Sequence, residues 1–361
     1  MRYGRIYMLA ALLVVGFISL SLRVIQDSPP IYDGLWGPQD AASLLEITKC
    51  AYADNDPIDL ADYAEVDLHT LPTFPEPPPF VQEALDRNLV AGRYLITTVV
   101  NSGMLEYTLN WAESLRLTGY KRFLIFCIDE SLFDTLSERG LGDRAVRIPQ
   151  EWFHVNVSAG FESYRQPEYK AITHAKSLVV ERLLHTNITV LFSDVDIVIL
   201  KPRMLDYFRA RLHSRPGTDM LFSVEIERSN TNVINSGFYL MRPTNTSRWV
   251  IKETVAIQDH SPTITQQKAM NAAIRKVTPV GSVATSRHVA LLDVFLFPNG
   301  YVYFYEQHQS LKALGVDPFI VHANFVIGDG KKEVLKQAGL WYLKEEEEKK
   351  EEEKKEEEKE S

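Results

Sequence analysis

The 361-residue sequence has little cysteine and no excess of basic residues. Its only thiols are Cys50 and Cys127, which excludes a disulfide framework and leaves one bridge as the most that the chain could form. Cys127 follows the apolar run 123–126, which favours a buried free thiol. The 39 lysines and arginines are outnumbered by 48 aspartates and glutamates, for a formal net charge of −9. This charge balance argues against a nucleic-acid partner.

Long uncharged apolar runs are scarce, and the clearest lies near the N-terminus. Residues 6–22 carry no charge between Arg5 and Arg23, and their length is at the short end of what a bilayer span needs. Arg2 and Arg5 precede the run, which predicts that residues 1–5 stay in the cytosol. No small-residue cleavage site closes the run. We therefore favour a retained transmembrane helix, a signal anchor, over a cleaved signal peptide.

Three sequons agree with a luminal placement of the rest of the chain. Asn156, Asn187 and Asn245 each begin an Asn-x-Ser/Thr pattern, the acceptor of N-glycosylation. A short anchor also suits the thinner membranes of the early secretory pathway. The sequence therefore predicts a single-pass type II membrane protein of the Golgi apparatus.

Two stretches of biased composition flank a globular part. Residues 23–88 have no regular apolar pattern and are Pro-rich toward their end, which predicts an extended stem. Residues 344–361 form a low-complexity tail with 6 lysines and 11 glutamates, whose spacing suits a solvated helix. The globular domain is predicted between them, over 89–343.

Within the globular part, strand patterns alternate with helix patterns. Residues 93–100, 122–128 and 188–192 are apolar runs that predict buried strands. Apolar residues at helical spacing occupy 105–115, and a further helical pattern begins at Pro167. This order predicts an α/β fold with a mainly parallel central sheet.

Polar residues follow three of these strands, at the edge where parallel sheets bind ligands. Asn101 and Asp129 follow the first two strands, and Asp194 and Asp196 follow the third. By analogy with nucleotide-binding sheets, Asn101 and Asp129 would lie near the base and ribose of a nucleotide. Both residue types are equally suited to capping helices and forming turns.

The acidic pair Asp194 and Asp196 lies between two apolar stretches, 190–192 and 197–200. Two carboxylates in such surroundings repel each other and lose hydration unless a cation compensates them. Hard oxygen ligands suit Mg²⁺ or Mn²⁺. We therefore predict a divalent-metal site, with an acidic surface turn as the alternative.

Two reactions use this local pattern: sugar transfer from a nucleotide-diphospho-sugar and phosphoryl transfer of the haloacid-dehalogenase type. Residues 194–199 fit the D-x-D-x-[TV]-[LV] nucleophile motif of such phosphatases. That class needs its first aspartate on the first strand and an Asp-Asp pair downstream. Here at least two predicted strands precede Asp194 and no Asp-Asp pair follows, so the phosphatase is the less favoured alternative.

Four segments resemble motifs of the nucleotide-diphospho-sugar transferases of glycosyltransferase family 77. In family order they are 192–198 with its DxD motif, 235–238, 296–300 and 321–324, with Gly328, Lys332 and Trp341 after them. The resemblance covers residues 93–341. It implies a GT-A fold, which is a Rossmann-like α/β architecture, and retention at the anomeric carbon. It also implies a divalent metal, a UDP-sugar donor of the xylose, galactose or arabinose class, and a glycan or glycoprotein hydroxyl as acceptor.

The resemblance assigns a metal site to three residues. Asp194 and Asp196 would bind Mn²⁺ or Mg²⁺ and the ribose-diphosphate of the donor. His322 would be the third protein ligand, since its setting resembles the metal histidine of related retaining transferases and a neutral imidazole is a sound ligand for Mn²⁺. The alternative for His322 is a histidine at a strand end whose hydrogen bonds are satisfied.

The family's N-[ST]-G segment corresponds to Asn235, Ser236 and Gly237. The first two would offer hydrogen bonds to the donor sugar, and Gly237 would let the backbone approach a ligand closely. Alternatively, the three residues form a turn before a strand over 238–241. Lys176 matches a family lysine that contacts the donor, with a solvated charge on a helix face as the alternative.

Related retaining enzymes often carry an Asp-Gln pair where this chain has Gln266 and Gln267. Gln266 takes the place of the aspartate, so a carboxylate nucleophile is missing at that position. A same-face mechanism remains open, in which Gln267 stabilises positive charge at the anomeric carbon. With Asn235, the two glutamines are our candidate catalytic residues. The missing aspartate also leaves open a non-catalytic luminal module that binds carbohydrate or nucleotide.

Overall fold

The structure, a computed structural model, describes residues 70–154, 167–225, 233–261, 264–278, 286–307, 315–326, 328 and 330–343, the side chains of 167–171 and 305–307 excepted. These residues belong to one compact unit, Pro57–Ser361. The predicted anchor, the stem up to residue 69, Cys50, the sequon at Asn156 and the tail lie outside them. Among the described helices, none combines the length and the apolarity needed to cross a bilayer.

The described residues form eight α-helices and nine strands. The helices are α1 Pro79–Asn88, α2 Leu105–Leu117, α3 Glu130–Leu136, α4 Pro167–His185, α5 Met204–Ser214, α6 Asn245–His260, α7 Gln266–Val277 and α8 Gly330–Gln337. The strands are β1 Tyr94–Val100, β2 Leu124–Cys127, β3 Ala145–Arg147, β4 Thr189–Ser193, β5 Ile197–Ile199, β6 Met220–Val224, β7 Ile234–Met241, β8 Val289–Leu291 and β9 Ile320–His322.

Seven strands form the central sheet, in the order β3-β2-β1-β4-β7-β6-β8. The four strands β1 to β4 run parallel, β8 runs parallel to β6, and β7 is antiparallel to both of its neighbours. The predicted α/β fold with a mainly parallel sheet is confirmed. Because β7 runs opposite to β4, its first residues lie at the edge where β1, β2 and β4 end.

Both faces of the sheet are buried, as its nearly continuous apolar strands require. In β1, Leu95 and Val99 pack with α1, α4, α6 and α7 on one face, whereas Ile96 and Val100 pack with α2, α3 and α5 on the other. Cys127 in β2 is a buried free thiol, as predicted, and burial raises the pKa of that thiol.

A second sheet of two strands brings a distant segment to the end of β4. Strand β5 begins directly after Asp196 and pairs antiparallel with β9, so that Ile197 lies opposite His322. Val198 and Val321 pack together with Leu335 of α8. This pairing explains why His322, far along the chain, lies beside the acidic pair.

The described end of the segment predicted as a stem packs on the domain. Pro79 begins α1, where a proline fits the first helical turn because its missing N–H would have no intrahelical partner. Val81, Ala84 and Leu85 are buried in the core on the α4 side of the sheet. The packed domain therefore begins before residue 89, the predicted boundary.

Two of the three sequons lie among the described residues. Asn187 is exposed in the turn between α4 and β4, and its Oδ1 accepts a hydrogen bond from Arg248 at 2.7 Å. Asn245 is exposed at the start of α6. Glycosylation requires such exposure, and the modification itself stays a prediction.

Candidate active site

The acidic pair occupies the short connection between the two sheets. The backbone N–H of Asp194 donates to the carbonyl of Gly237 at 2.7 Å, which ties the first aspartate to β7. The N–H of Ala323 donates to the carbonyl of Asp196 at 2.9 Å, which ties the second to the end of β9. The sheet edge therefore holds both carboxylates in fixed positions.

The three residues predicted to bind a metal lie together. One ligand atom from each of Asp194, Asp196 and His322 falls within 4.8 Å of the other two. Within the group, Nε2 of His322 lies 3.3 Å from Oδ1 of Asp196. Asp196 and His322 are buried, whereas Asp194 is partly exposed and gives the group access to solvent.

Gly237 lies directly against the side chains of this group. A Cβ at this position would lie 2.7 Å from Cε1 of His322 and 2.8 Å from Oδ2 of Asp194, closer than real side chains pack. A side chain at this position would therefore displace His322 or Asp194. The approach of a ligand to Gly237 stays a prediction. The alternative of a turn before residue 238 is wrong, since Asn235, Ser236 and Gly237 lie inside β7.

Long-range pairing explains why a turn-like sequence forms a strand here. Strand β7 pairs with β4 on one side and β6 on the other, and Asn235 lies opposite Ser223. The register with β6 shifts between Phe222 and Ser223, which marks a bulge beside the site. Bulges are frequent next to functional sites because they redirect side chains.

Two lysines neutralise the acidic pair. Nζ of Lys176 on α4 lies 2.5 Å from Oδ1 of Asp194, so this lysine is placed at the site rather than on a solvated face. Nζ of Lys331 on α8 lies 2.6 Å from Oδ2 of Asp196. Burial alone would raise the pKa of Asp196, but the charges of Lys331 and His322 outweigh it and hold that pKa well below its usual range. Asp196 is therefore a buried carboxylate that stays ionised.

Sequence reasoning missed Lys331. The family resemblance included its neighbour Lys332, whose ammonium lies 3.0 Å from Glu106 and 5.2 Å from the ring centre of Trp341. The available signal was the lysine pair itself, three residues beyond Gly328. Which of these two lysines lies toward the acidic pair depends on the direction in which α8 leaves β9.

The two glutamines at the start of α7 have different neighbours. Oε1 of Gln267 accepts a hydrogen bond from the N–H of Ser236 at 3.2 Å, which joins it to the Asn-Ser-Gly segment. The buried Gln266 donates through Nε2 to Oγ of Ser177 at 3.2 Å. Gln267 thus reaches the site directly, whereas Gln266 braces α7 against α4.

Asn235 joins a carboxylate that the sequence did not mark. Its Oδ1 accepts from the N–H of Gly237 at 2.8 Å, and its Nδ2 donates to the carboxylate of Glu225 at the end of β6. The backbone carbonyl of Glu225 also accepts from Nδ2 of Asn299 at 2.9 Å. Glu225 stands in no motif, so nothing in the sequence singles it out.

Asn101 and Asp129 lie at the carboxyl ends of β1 and β2, as predicted. Asp129 uses Oδ1 to accept from the N–H of Leu132 at 2.9 Å, which caps α3, and Oδ2 to accept from the N–H of Ser102 at 2.7 Å. Asn101 is buried just before the turn that leads into α2. Asp129 therefore has the capping role weighed as its alternative, and a nucleotide contact stays a prediction for both residues.

The donor set fits a divalent cation. Two carboxylates and an imidazole are ligands that Mn²⁺ accepts, and Mg²⁺ suits the carboxylates. Gly237 keeps clear the space that a side chain would fill. The two flanking lysines add positive charge at the same edge, which suits an anionic ligand such as a diphosphate.

A family comparison agrees with this geometry. Residues 118–335, more than half of the chain, match the family described as "Nucleotide-diphospho-sugar transferase". The chain belongs to this family. The class predicted from the sequence motifs is thereby confirmed.

Two curated relatives are similar to this chain over 70% of its length. The UDP-galactose:fucoside alpha-3-galactosyltransferase of Dictyostelium discoideum is 25% identical over 292 residues, which cover 43% of that protein. Arabinosyltransferase XEG113 of Arabidopsis thaliana is 21% identical over 277 residues, which cover 41% of it. The chain thus spans less than half the length of these relatives.

Solved structures with a partial likeness also occur. The galactosyltransferase LgtC in complex with donor and acceptor sugar analogs is 14% identical, with a TM-score of 0.43 over 70% of this transferase and 98% of that chain. Glucosyl-3-phosphoglycerate synthase from Mycobacterium tuberculosis, in complex with Mn²⁺ and UDP-glucose, is 15% identical, with a TM-score of 0.30 over 54% and 76% of the two chains.

Proposed function

We propose that this transferase moves a sugar from a UDP-sugar to a hydroxyl of a glycan or glycoprotein, with retention at the anomeric carbon. The observation that carries the proposal is the convergence of Asp194, Asp196 and His322 beneath Gly237. The named relatives use galactose and arabinose, which supports a donor of the xylose, galactose or arabinose class. A GT-A arrangement of the α/β domain is part of the same proposal.

Asp194, Asp196 and His322 would hold Mn²⁺ or Mg²⁺. The bound ion would neutralise the diphosphate and so stabilise it as a leaving group. Lys176 and Lys331 each compensate one carboxylate in the structure. With the ion bound, both ammonium groups would bind phosphate oxygens of the donor through charge-assisted hydrogen bonds.

Asn235, Ser236 and Gln267 would face the donor sugar. Ser236 carries a hydroxyl, and the amides of Asn235 and Gln267 offer both donors and acceptors. The side-chain oxygen of Gln267 already accepts one hydrogen bond at this edge, from the N–H of Ser236. We assign that oxygen to stabilising positive charge at the anomeric carbon as the donor bond lengthens.

The proton balance is met without a base from the chain. The bond from the anomeric carbon to the UDP oxygen breaks, and the bond to the acceptor oxygen forms on the same face of the sugar. The acceptor's proton passes to the departing phosphate oxygen. Gln266, in the place of the family aspartate, has no carboxylate with which to form a covalent intermediate.

We also propose a type II arrangement in the Golgi membrane, with the anchor at 6–22 and the domain in the lumen. The uncharged run, the preceding Arg2 and Arg5, and the sequons support it. The exposure of Asn187 and Asn245 is compatible with glycosylation on the luminal side.

The experiment is a transfer assay on the full chain with UDP-galactose, UDP-arabinose and UDP-xylose, read out by UDP release and by NMR of the product. We expect UDP release that needs Mn²⁺ or Mg²⁺, stops with EDTA, and gives a product of unchanged anomeric configuration. Asp194→Asn should abolish it, whereas the exposed Asp206→Asn, a matched control, should leave it intact. UDP binding without release from any donor would favour the binding module instead.

A further inference from the structure

A second group of metal-ligand side chains lies outside the transferase site. It consists of His154, which follows the turn Gln150–Trp152, His174 on α4, and Asp259 near the end of α6. One ligand atom from each of the three lies within 4.8 Å of the other two. Three separate parts of the chain therefore meet at one point on the domain.

Both imidazoles approach the same carboxylate oxygen. Nδ1 of His154 lies 3.0 Å from Oδ1 of Asp259, and Nε2 of His174 lies 3.2 Å from that same atom. The two rings meet edge to face, with their centres 5.5 Å apart. Two ring nitrogens and a carboxylate oxygen are thus already gathered around a common centre.

His174 supplies an independent observation. Its side chain is only 6% exposed, and among the described residues its Nε2 has the 3.2 Å contact with Oδ1 of Asp259 but no hydrogen bond of good geometry. A buried ring nitrogen with one poorly aligned contact is incompletely satisfied, and coordination to a cation would satisfy it. His154 and Asp259 are 39% and 36% exposed, which leaves the centre open to an ion and to water.

We propose that His154, His174 and Asp259 form a second metal site, of the class that binds Zn²⁺. Two imidazole nitrogens and one carboxylate oxygen, with water as a fourth ligand, are a donor set typical of Zn²⁺. The first site has the opposite balance, two carboxylates and one imidazole, which suits Mn²⁺ or Mg²⁺ better. The two sites therefore differ in metal preference.

The ion at this second site acts as a cross-link between α4, α6 and the segment that contains the turn Gln150–Trp152 and His154. The same two helices are already joined by a hydrogen bond of 2.7 Å from Oγ of Ser177 to Oε1 of Gln258. Ser177 also accepts from Gln266, and its neighbour Lys176 pairs with Asp194. The second ion thus stabilises the helix that carries Lys176 while taking no part in the sugar transfer.

The test is a Zn²⁺ titration by calorimetry on the full chain with Asp194→Asn and Asp196→Asn, which removes the first site. We expect one equivalent of Zn²⁺ to bind, and the affinity to fall by about tenfold or more when His154→Gln or Asp259→Asn is added. His288→Gln is the matched control, because it breaks another His–Asp pair, 2.6 Å from Nδ1 to Oδ2 of Asp219, which has no third ligand among the residues that the structure describes. It should leave Zn²⁺ binding unchanged.

Cobalt gives a second readout that does not depend on the double variant folding. Co²⁺ in a tetrahedral nitrogen and oxygen site absorbs visible light, and we expect that band in the wild-type chain to fall with His154→Gln and not with His288→Gln. His154 is partly exposed, so its replacement should leave the fold intact. No bound Zn²⁺ in a cooperatively melting double variant, or equal binding by the His154 and His288 variants, would overturn the proposal.

Discussion

Gly237 sets how closely β7 approaches the acidic pair. We predict that Gly237→Ala lowers transfer activity by about a hundredfold, because the added methyl displaces the side chains of Asp194 and His322. Its stability should fall by about 1–3 kcal/mol, the usual cost of overpacking. Kinetics and urea unfolding measure the two effects separately.

The control for this change is Gly217→Ala. A Cβ at Gly217 would meet nothing closer than 3.7 Å, an ordinary contact, so activity should not change. Wild-type activity in Gly237→Ala would mean that the side chains of Asp194 and His322 tolerate displacement and that the glycine has no role in the site.

Lys331 and Lys332 allow a comparison between neighbours on one helix. Lys331→Met should raise the KM for the UDP-sugar by about 10- to 100-fold, since a charge-assisted contact with the diphosphate is lost. Lys332 pairs with the exposed Glu106, and Lys332→Met should change KM by less than about twofold. Steady-state kinetics with saturating metal measure both. The reverse ranking would assign the diphosphate to Lys332 instead.

Gln267 should affect turnover more than binding. We predict that Gln267→Ala lowers kcat by about a hundredfold and leaves the KM for the donor within about threefold, because its oxygen is assigned to the transition state. Gln267→Glu should keep part of the activity, since it retains an oxygen acceptor. Unchanged kcat in Gln267→Ala would remove this residue from the mechanism. Glu225, the carboxylate bonded to Asn235, would then be the next residue to replace.

Some of the residues that form the site could be predicted from the sequence. Asp194 and Asp196 are conspicuous because carboxylates are costly between apolar runs, and that local contrast is visible without a structure. His322 was found only through a family resemblance, since its pairing opposite Ile197 joins segments far apart in the chain. Lys331 and Glu225 depend on side-chain direction, which no local pattern encodes.

At the scale of elements, the sequence pattern predicted strands and helices correctly where interactions between residues close in the chain determine them. The β-branched run of β1 and the helical spacing of α2 agree with the predicted spans. The start of β7 differs because pairing with β4 and β6 overrides the turn preference of Asn235 and Gly237. In α1, the prolines that suggested a spacer end at the first helical turn, and burial of Leu85 then stabilises the helix.

The C-terminal end of α4 carries a pH-sensitive group. His185 packs edge to face on Phe74, with ring centres 4.9 Å apart, and its Nε2 is buried without a hydrogen-bond partner among the described residues. Burial, and then the charges of Arg248 and Arg182, lower the pKa of His185 from 6.5 to about 4. In the unfolded chain His185 gains its proton first as pH falls, so folding stability is lost as pH falls from about 6.5 to about 4.

We predict that His185→Gln reduces the loss of unfolding free energy between pH 6.5 and pH 4 by about 1–2 kcal/mol. This value is smaller than the full pKa shift of His185 would give, because the side chain is partly exposed. Denaturant unfolding of wild type and variant at several pH values measures the difference. The exposed His213→Gln serves as the control and should keep the wild-type slope. Parallel stability curves for wild type and His185→Gln would contradict the assignment.

At the scale of the whole molecule, family and fold class were both accessible from the sequence. Strand and helix patterns alternate along the domain, and several short motifs follow in family order, so that each supports the others. The donor sugar and the acceptor depend on loop contacts that differ between members of one family. The second group of metal-ligand side chains was not predicted from the sequence. His154, His174 and Asp259 share no motif and meet only in the folded chain.

The central claim is that Asp194, Asp196 and His322 create a joint site for a divalent cation and a nucleoside diphosphate. The most direct measurement is a thermal shift of the full chain with UDP, with Mn²⁺ and with both, since a ligand that binds only the folded state raises its apparent stability. We predict that UDP and Mn²⁺ together give a shift larger than the sum of their separate shifts, and that Asp196→Asn loses it. A cooperatively melting wild-type protein that shows no shift with both ligands would contradict the account.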